Sequence, residues 1–189
     1  HFNPAINNMD HDLSAAAIRH DVDESLSRLK TDYIDLFFFH YPDPNTPIAE
    51  SIGTMEELRK EGKIRMIGLS NYSQEELAEA MQYGTIDCAQ FRYSMLTREN
   101  ENLVKFCDET KVGVLSYASL AGGMLSGAYK TEPTFAEGDR RTFFYPFLKG
   151  PEFSRCRKLV DVVEAAAAQH GISTADAAIQ WVIAQSGMT

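Results

Sequence analysis

Four short apolar runs, beginning near residues 33, 64, 86 and 112, alternate with segments patterned as helices, so one strand-plus-helix unit recurs every 22 to 31 residues. No other feature constrains the fold as strongly. Strands joined through intervening helices run parallel, and their crossovers are right-handed. The first run, YIDLFFFH over Tyr33–His40, is apolar almost without alternation, which predicts a strand covered by helices on both faces. The expected class is α/β.

The helices between the runs carry their own start and stop signals. Ala15, Ile18, Val22, Leu26 and Leu29 repeat at three- and four-residue steps behind Ser14, a ready N-cap. Pro47 sits where a first turn tolerates it, Ile48, Ile52, Met55 and Leu58 follow, and Gly62 closes the helix. Ser73 with Glu76 reads as a capping box ahead of Leu77, Ala80 and Met81. Leu103, Phe106 and Cys107 mark another helix before the last strand, Val112–Tyr117. Beyond Tyr117 the rhythm breaks. Residues 118–151 hold five of the twelve glycines, three prolines and the aromatics Phe143, Phe144, Tyr145 and Phe147, the character of a long binding loop. Two helices, about 153–170 and 174–185, close the chain with Ala178, Trp181 and Val182 inward. At 189 residues it is shorter than a usual TIM barrel of roughly 250.

Composition excludes some partners. A formal net charge of −9 argues against nucleic acid or an anionic membrane surface, either of which needs a basic face. No apolar run approaches the ~18 residues of a membrane span, and no basic-then-apolar leader precedes the first helix. Cys88, Cys107 and Cys156 are odd in number and lack C-x-x-C spacing, so reduced thiols in a cytoplasmic protein, with no metal site, are expected.

In an α/β barrel, chemistry collects at the carboxyl ends of the strands. Those ends deliver His40, Ser70 with Asn71, Gln90, and Tyr117. His40 reads two ways: a histidine satisfied by a backbone carbonyl, or a neutral imidazole donating to a substrate carbonyl oxygen. Ser70 and Asn71 suit a plain turn equally with gripping a carboxamide. Gln90, near the end of an apolar strand, must be bonded to something. Tyr117 leads into ASLAGGMLSGAY, whose glycines let backbone N–H groups approach a phosphate while Tyr117 stacks on a ring. His1, His11, His20 and His170 read as surface residues. Asp43 and Glu50 read as solvated charges.

Together these segments resemble the aldo-keto reductase superfamily. SLSRLKTDYIDLFFFHYPD is similar to its signature through the fourth barrel strand, LRKEGKIRMIGLSNY to the fifth-strand signature, and YASLAGGMLSGAY to the loop after the seventh. HYPDPNTPIAES is closer to the branch of general-stress-type reductases and potassium-channel β subunits. The resemblance implies a TIM (β/α)8 barrel, present over residues 1–189 as an incomplete barrel of about strands 4 to 7. It implies an NADPH-dependent oxidoreductase that reduces small aldehydes or ketones by hydride transfer, with a tyrosine supplying the proton. His40 matches the histidine that orients the carbonyl. Ser70, Asn71 and Gln90 match the ligands of the nicotinamide carboxamide, Tyr117 the residue stacked on the nicotinamide ring, and Ser119, Leu120 and Gly122 the loop over the pyrophosphate.

The departures are specific. The family's catalytic aspartate, tyrosine and lysine belong to strands before this segment, and its 2′-phosphate-binding segment follows Thr189. Tyr33, Tyr41 and Tyr72 do not substitute for the tyrosine, because their contexts match other positions. Gly127-Ala128 stands where many members carry Gly-Lys. The 189 residues alone are therefore expected to be inactive. The alternatives are a non-catalytic, nucleotide-sensing subunit like the channel β subunits, and a short product that closes a barrel by pairing with a copy of itself.

Overall fold

The structure, a computed structural model, describes residues 2–3, 8–9 and 11–188. His1, expected at the surface, lies outside the described residues. The chain forms two compact units, His1–Phe91 with Lys105–Leu115, and Arg92–Val104 with Ser116–Thr189.

The first unit opens with a two-residue antiparallel pair, β1 (Phe2–Asn3) and β2 (Asn8–Met9). Elements this short have no periodicity to read. Helix α1 (Ala15–Leu29) follows, and the Ser14 side chain accepts from the Ala17 N–H as its spacing predicts. Strand β3 (Ile34–Phe39) leads to α2 (Ile48–Lys60), and β4 (Ile64–Ser70) to α3 (Gln74–Ala80). The capping box of α3 is complete, with Ser73 and Glu76 each bonded to the other's backbone N–H. β5 (Cys88–Arg92), α4 (Glu101–Thr110) and β6 (Gly113–Tyr117) complete the alternation, and the sheet order is β3-β4-β5-β6.

Pairing is parallel between β3 and β4 and between β4 and β5. Phe39 lies opposite Leu69, and Ser70 opposite Gln90, so β3 and β4 end within a residue of each other and β5 runs two residues further, to Arg92. Ile52, Met55 and Leu58 of α2 are completely buried, and each contributes on the order of 1.5–3 kcal/mol by leaving water. Helix α2 packs on α1, β4 and α3. The Phe38 ring occupies the space that a β-carbon at Gly68 would need, so the sheet face there is shaped by an absent side chain.

The expectation that Tyr33–His40 is covered on both faces is not met. Within β3 only Phe39 is buried, Asp35 is exposed and the remainder is half-buried. The reason is its place at the end of the sheet order: among the described residues β3 has one strand neighbour.

The second unit is helical. Its elements are a 3-10 turn over Ala121–Ser126, the single-turn α5 (Arg141–Phe144), a 3-10 turn over Pro146–Leu148, α6 (Gly150–Gln169) and α7 (Thr174–Ile183). Met124, Leu125, Leu148, Phe153, Val160 and Ala178 form its core. Residues 118–151 are thus better ordered than a bare loop. Helix α6 begins at Gly150, ahead of the expected Phe153, because Pro151 is compatible with a first helical turn. Trp181 is half-buried and stacks on Tyr93, centroids 5.8 Å apart, and the Arg98 guanidinium lies over the Trp181 ring at 4.9 Å. Among the described residues no helix is long and apolar enough to cross a membrane.

Candidate active site

In the first unit the register of the paired strands brings four of the expected residues together. Ser70 is buried at the end of β4, and its hydroxyl donates to Gln90 Oε1 on β5 at 3.2 Å. The same hydroxyl oxygen accepts from Asn71 Nδ2 at 3.1 Å, and Nδ2 also donates to the His40 carbonyl at 2.8 Å. The Asn71 N–H donates to the Gln90 carbonyl at 2.9 Å. One continuous hydrogen-bonded array therefore spans the ends of β3, β4 and β5. Asn71 adopts φ +64°, a left-handed conformation that asparagine tolerates better than most residues. That turn swings its amide back across the strand ends instead of along β4.

His40 presents an exposed imidazole, tilted against Tyr41 at 4.6 Å between centroids. Its backbone carbonyl is engaged by Asn71, and among the described residues neither ring nitrogen is hydrogen-bonded. The reading in which a carbonyl merely satisfies the imidazole is not what the structure shows. His40 and Tyr41 line a cavity of about 150 Å³ with His11, Asp12, Asp21 and Ile18.

One charge assignment needs correction. Asp43 is buried, not solvated: its carboxylate accepts from the N–H of Leu13 at 3.0 Å, the N–H of Asn45 at 2.9 Å and the Thr46 hydroxyl at 2.6 Å. Burial opposes its ionisation, but these donors outweigh that cost and hold the carboxyl below the usual range. Glu50 is a solvated charge in the first turn of α2, as expected, and it also accepts from the Ala15 N–H at 3.1 Å at the start of α1. By fastening Leu13, Asp43 draws the segment before α1 against the loop after β3. His11 is consequently half-buried and edge-on to Tyr41, whereas His20 and His170 are exposed as expected.

Tyr72 is buried, and its phenol pKa is pushed well up, first by burial and then by Glu76 and Asp43. A phenol that holds its proton so firmly is a poor acid, in keeping with the reading that Tyr72 is no substitute for a catalytic tyrosine. Burial also raises the thiols of Cys88 to about 11 and Cys107 to about 12, so both behave as apolar core residues; all three cysteines are free. His20, Asp21 and Glu24 bring ligand atoms within 4.8 Å of one another on α1, a spacing that one helix face produces without any ion.

In the second unit the expected residues form a turn built from backbone. Tyr117 is exposed, and its carbonyl accepts from the Tyr93 N–H at 3.3 Å. Ser119 and Ser116 share a hydroxyl–hydroxyl bond of 3.0 Å. Ala118, Ala121, Gly122 and Gly123 all have positive φ. The N–H of Ala121 is taken by the Ala118 carbonyl, and those of Gly123 and Leu125 by the Leu120 carbonyl. The N–H groups of Ser119, Leu120 and Gly122 have no acceptor among the described residues. Neighbouring N–H groups at Ser119 and Leu120, with a third at Gly122, are donors of the kind that suit an anion. Sequence reasoning did not find what backs this turn: Tyr145, whose ring lies 2.6 Å from where a Gly122 β-carbon would sit, and Tyr129, whose hydroxyl donates to the Gly122 carbonyl at 3.2 Å. The only signal was the unexplained density of aromatics.

Comparison with known proteins matches residues 4–189 to the sequence model of the Aldo/keto reductase family. Aldo-keto reductase YhdN of Bacillus subtilis is 36% identical over 91% of this chain and 52% of its own length. The NADH-specific methylglyoxal reductase of Escherichia coli is 33% identical over 93% of this chain and 54% of its own. Among solved structures, glycerol dehydrogenase AKR11B4 from Gluconobacter oxydans superimposes with a TM-score of 0.90 at 31% identity, over 95% of this chain and 55% of that one. The chain spans about half the length of these relatives.

Proposed function

The chain belongs to the aldo/keto reductase family, its strands and helices being a stretch of that family's (β/α)8 barrel, and from this we propose that the whole protein is an NADPH-dependent oxidoreductase reducing small aldehydes or ketones to alcohols. The observation that carries the reading is the array joining His40, Ser70, Asn71 and Gln90. Its chemistry fits a nicotinamide. A carboxamide needs one donor and one acceptor, and the side-chain amides of Asn71 and Gln90 carry both kinds, with the Ser70 hydroxyl bonded between them. The turn of the second unit, taken by itself, has the chemistry for a phosphate group: the N–H groups of Ser119, Leu120 and Gly122 suit a pyrophosphate, and the exposed Tyr117 ring suits stacking.

When bound, the cofactor supplies the hydride. The chain's own contribution is orientation. His40, with unengaged ring nitrogens at the mouth of the array, donates a hydrogen bond to the substrate carbonyl oxygen and steadies it as negative charge develops. Asn71 holds the His40 backbone carbonyl at the end of β3. The preference for NADPH over NADH, the carbonyl substrate and a cytoplasmic location belong to the same proposal.

The test is a pair of measurements. The full-length gene product is expected to oxidise NADPH in the presence of nitrobenzaldehyde, while the 189-residue chain alone is expected to show no steady oxidation. Tight NADPH binding without turnover by the full-length protein would instead support a nucleotide-sensing subunit. Faster turnover with NADH would overturn the cofactor assignment.

A further inference from the structure

We propose that Tyr129, held by Arg141, is a positioning residue that locks the Gly122–Gly123 peptide in the orientation that keeps the turn receptive to a pyrophosphate; this rests on the cofactor reading above. The peptide between two glycines is the least restrained link in the turn. Neither residue has a β-carbon, and both occupy left-handed conformations, φ +66° and +97°. Rotating the plane between such residues meets little steric resistance. A flip would exchange the places of the Gly122 carbonyl oxygen and the Gly123 N–H, and a carbonyl oxygen turned toward a bound anion repels it.

A hydrogen-bonded chain opposes that flip. The Gly122 carbonyl accepts from the Tyr129 hydroxyl at 3.2 Å, and on the other side of the same peptide the Gly123 N–H donates to the Leu120 carbonyl at 3.0 Å. The Tyr129 hydroxyl oxygen in turn accepts from Arg141 Nη1 at 3.1 Å. Donation onto the phenol oxygen makes its proton a better donor to Gly122. Arg141 is itself fixed by Asp139, with Nη2–Oδ2 at 2.6 Å and Nε–Oδ1 at 3.0 Å, and lies over the Phe135 ring at 4.4 Å. The other end of Tyr129 is anchored too, its backbone carbonyl accepting from Arg157 Nη1 at 3.1 Å. A tyrosine held at both ends is well placed to hold a third group. Arg141 and Asp139 lie outside the turn, and Arg141 reaches the phenol oxygen from there.

The experiment measures equilibrium binding of NADPH and of ADP-ribose, which keeps the pyrophosphate but lacks nicotinamide, to the full-length protein and to Tyr129→Phe. The variant is expected to lose about three- to tenfold in affinity, the worth of one hydrogen bond, by the same factor for both ligands. Its KM for the carbonyl substrate should be unchanged. Arg141→Gln, at an exposed position, should give a smaller loss with the same equal pattern even if Tyr129→Phe folds poorly. Wild-type affinity in both variants, a loss confined to NADPH, or a matching rise in carbonyl KM that signals general disruption would each overturn the inference while leaving the cofactor reading intact. A wild-type protein that binds neither ligand would remove the cofactor reading and this inference with it.

Discussion

The strand-end array and the glycine turn solve the problem of presenting polar groups in opposite ways. In the first unit the groups are side chains, and the sheet does the positioning: Ser70 and Gln90 meet because parallel pairing places them opposite each other. In the second unit the groups are backbone N–H donors, and a run of left-handed residues with aromatic support aims them. Side chains on strands offer chemical variety and a direction fixed by the pleat. Backbone amides offer a uniform donor set whose direction depends on conformations that ordinary residues resist. One region is therefore sensitive to which side chain is present, the other to whether a side chain is present at all.

Substitutions can sharpen or break that contrast. The largest effect is expected from His40→Ala in the full-length protein, a fall in kcat/KM of about 10²–10³-fold, with the melting temperature unchanged because the imidazole is exposed. Steady-state kinetics alongside thermal unfolding would show it; a large drop in stability would mean that the array is structural and the contrast misdrawn. Next comes Gly122→Ala. A methyl group there combines a left-handed φ with a ring 2.6 Å away, and a cost of about 1–3 kcal/mol is expected, read by urea unfolding. Near-wild-type stability would show that the turn does not depend on a missing side chain.

The smallest effect concerns acid. The Asp43 carboxyl is held below its ordinary value of 3.8, so on acidification the unfolded chain takes up that proton first. The stability it lends is complete above about pH 4 and is lost as pH falls through the folded-state value. Asp43→Asn keeps one acceptor oxygen and removes the titration, so the variant's stability curve should be flatter on its acid side than the wild type's. Parallel curves would show that Asp43 does not couple the loop after β3 to pH.

The same contrast explains what could be read before any coordinates. Strands, helix caps and the strand-end residues are local or periodic features. Ser14, the Ser73–Glu76 box and the β4 boundary followed from spacing alone, and so did the positions of His40, Ser70, Asn71 and Gln90. Burial depended on neighbours. Tyr33–His40 looked doubly covered because its residues are apolar, yet coverage is decided by the strands and helices beside it. Asp43 looked solvated because carboxylates usually are, yet three donors, one of them 30 residues away at Leu13, make it an internal anchor. The support of the glycine turn was the least legible. Tyr129, Arg141 and Tyr145 reach Gly122 and one another by tertiary packing, and no periodicity records such an arrangement.

The fixed register of β3, β4 and β5 also divides the chain by its tolerance of insertions and deletions. Crossover segments such as the one after β3 can change length and still return the chain to the sheet. A single extra residue between Ile64 and Ser70 cannot be absorbed in that way, because successive side chains on a strand point to opposite faces. Ser70 would be turned to the far side of the sheet and its partnership with Gln90 lost. Across relatives, length variation in this part of the chain should therefore fall between strands, and changes within β4 should come as substitutions.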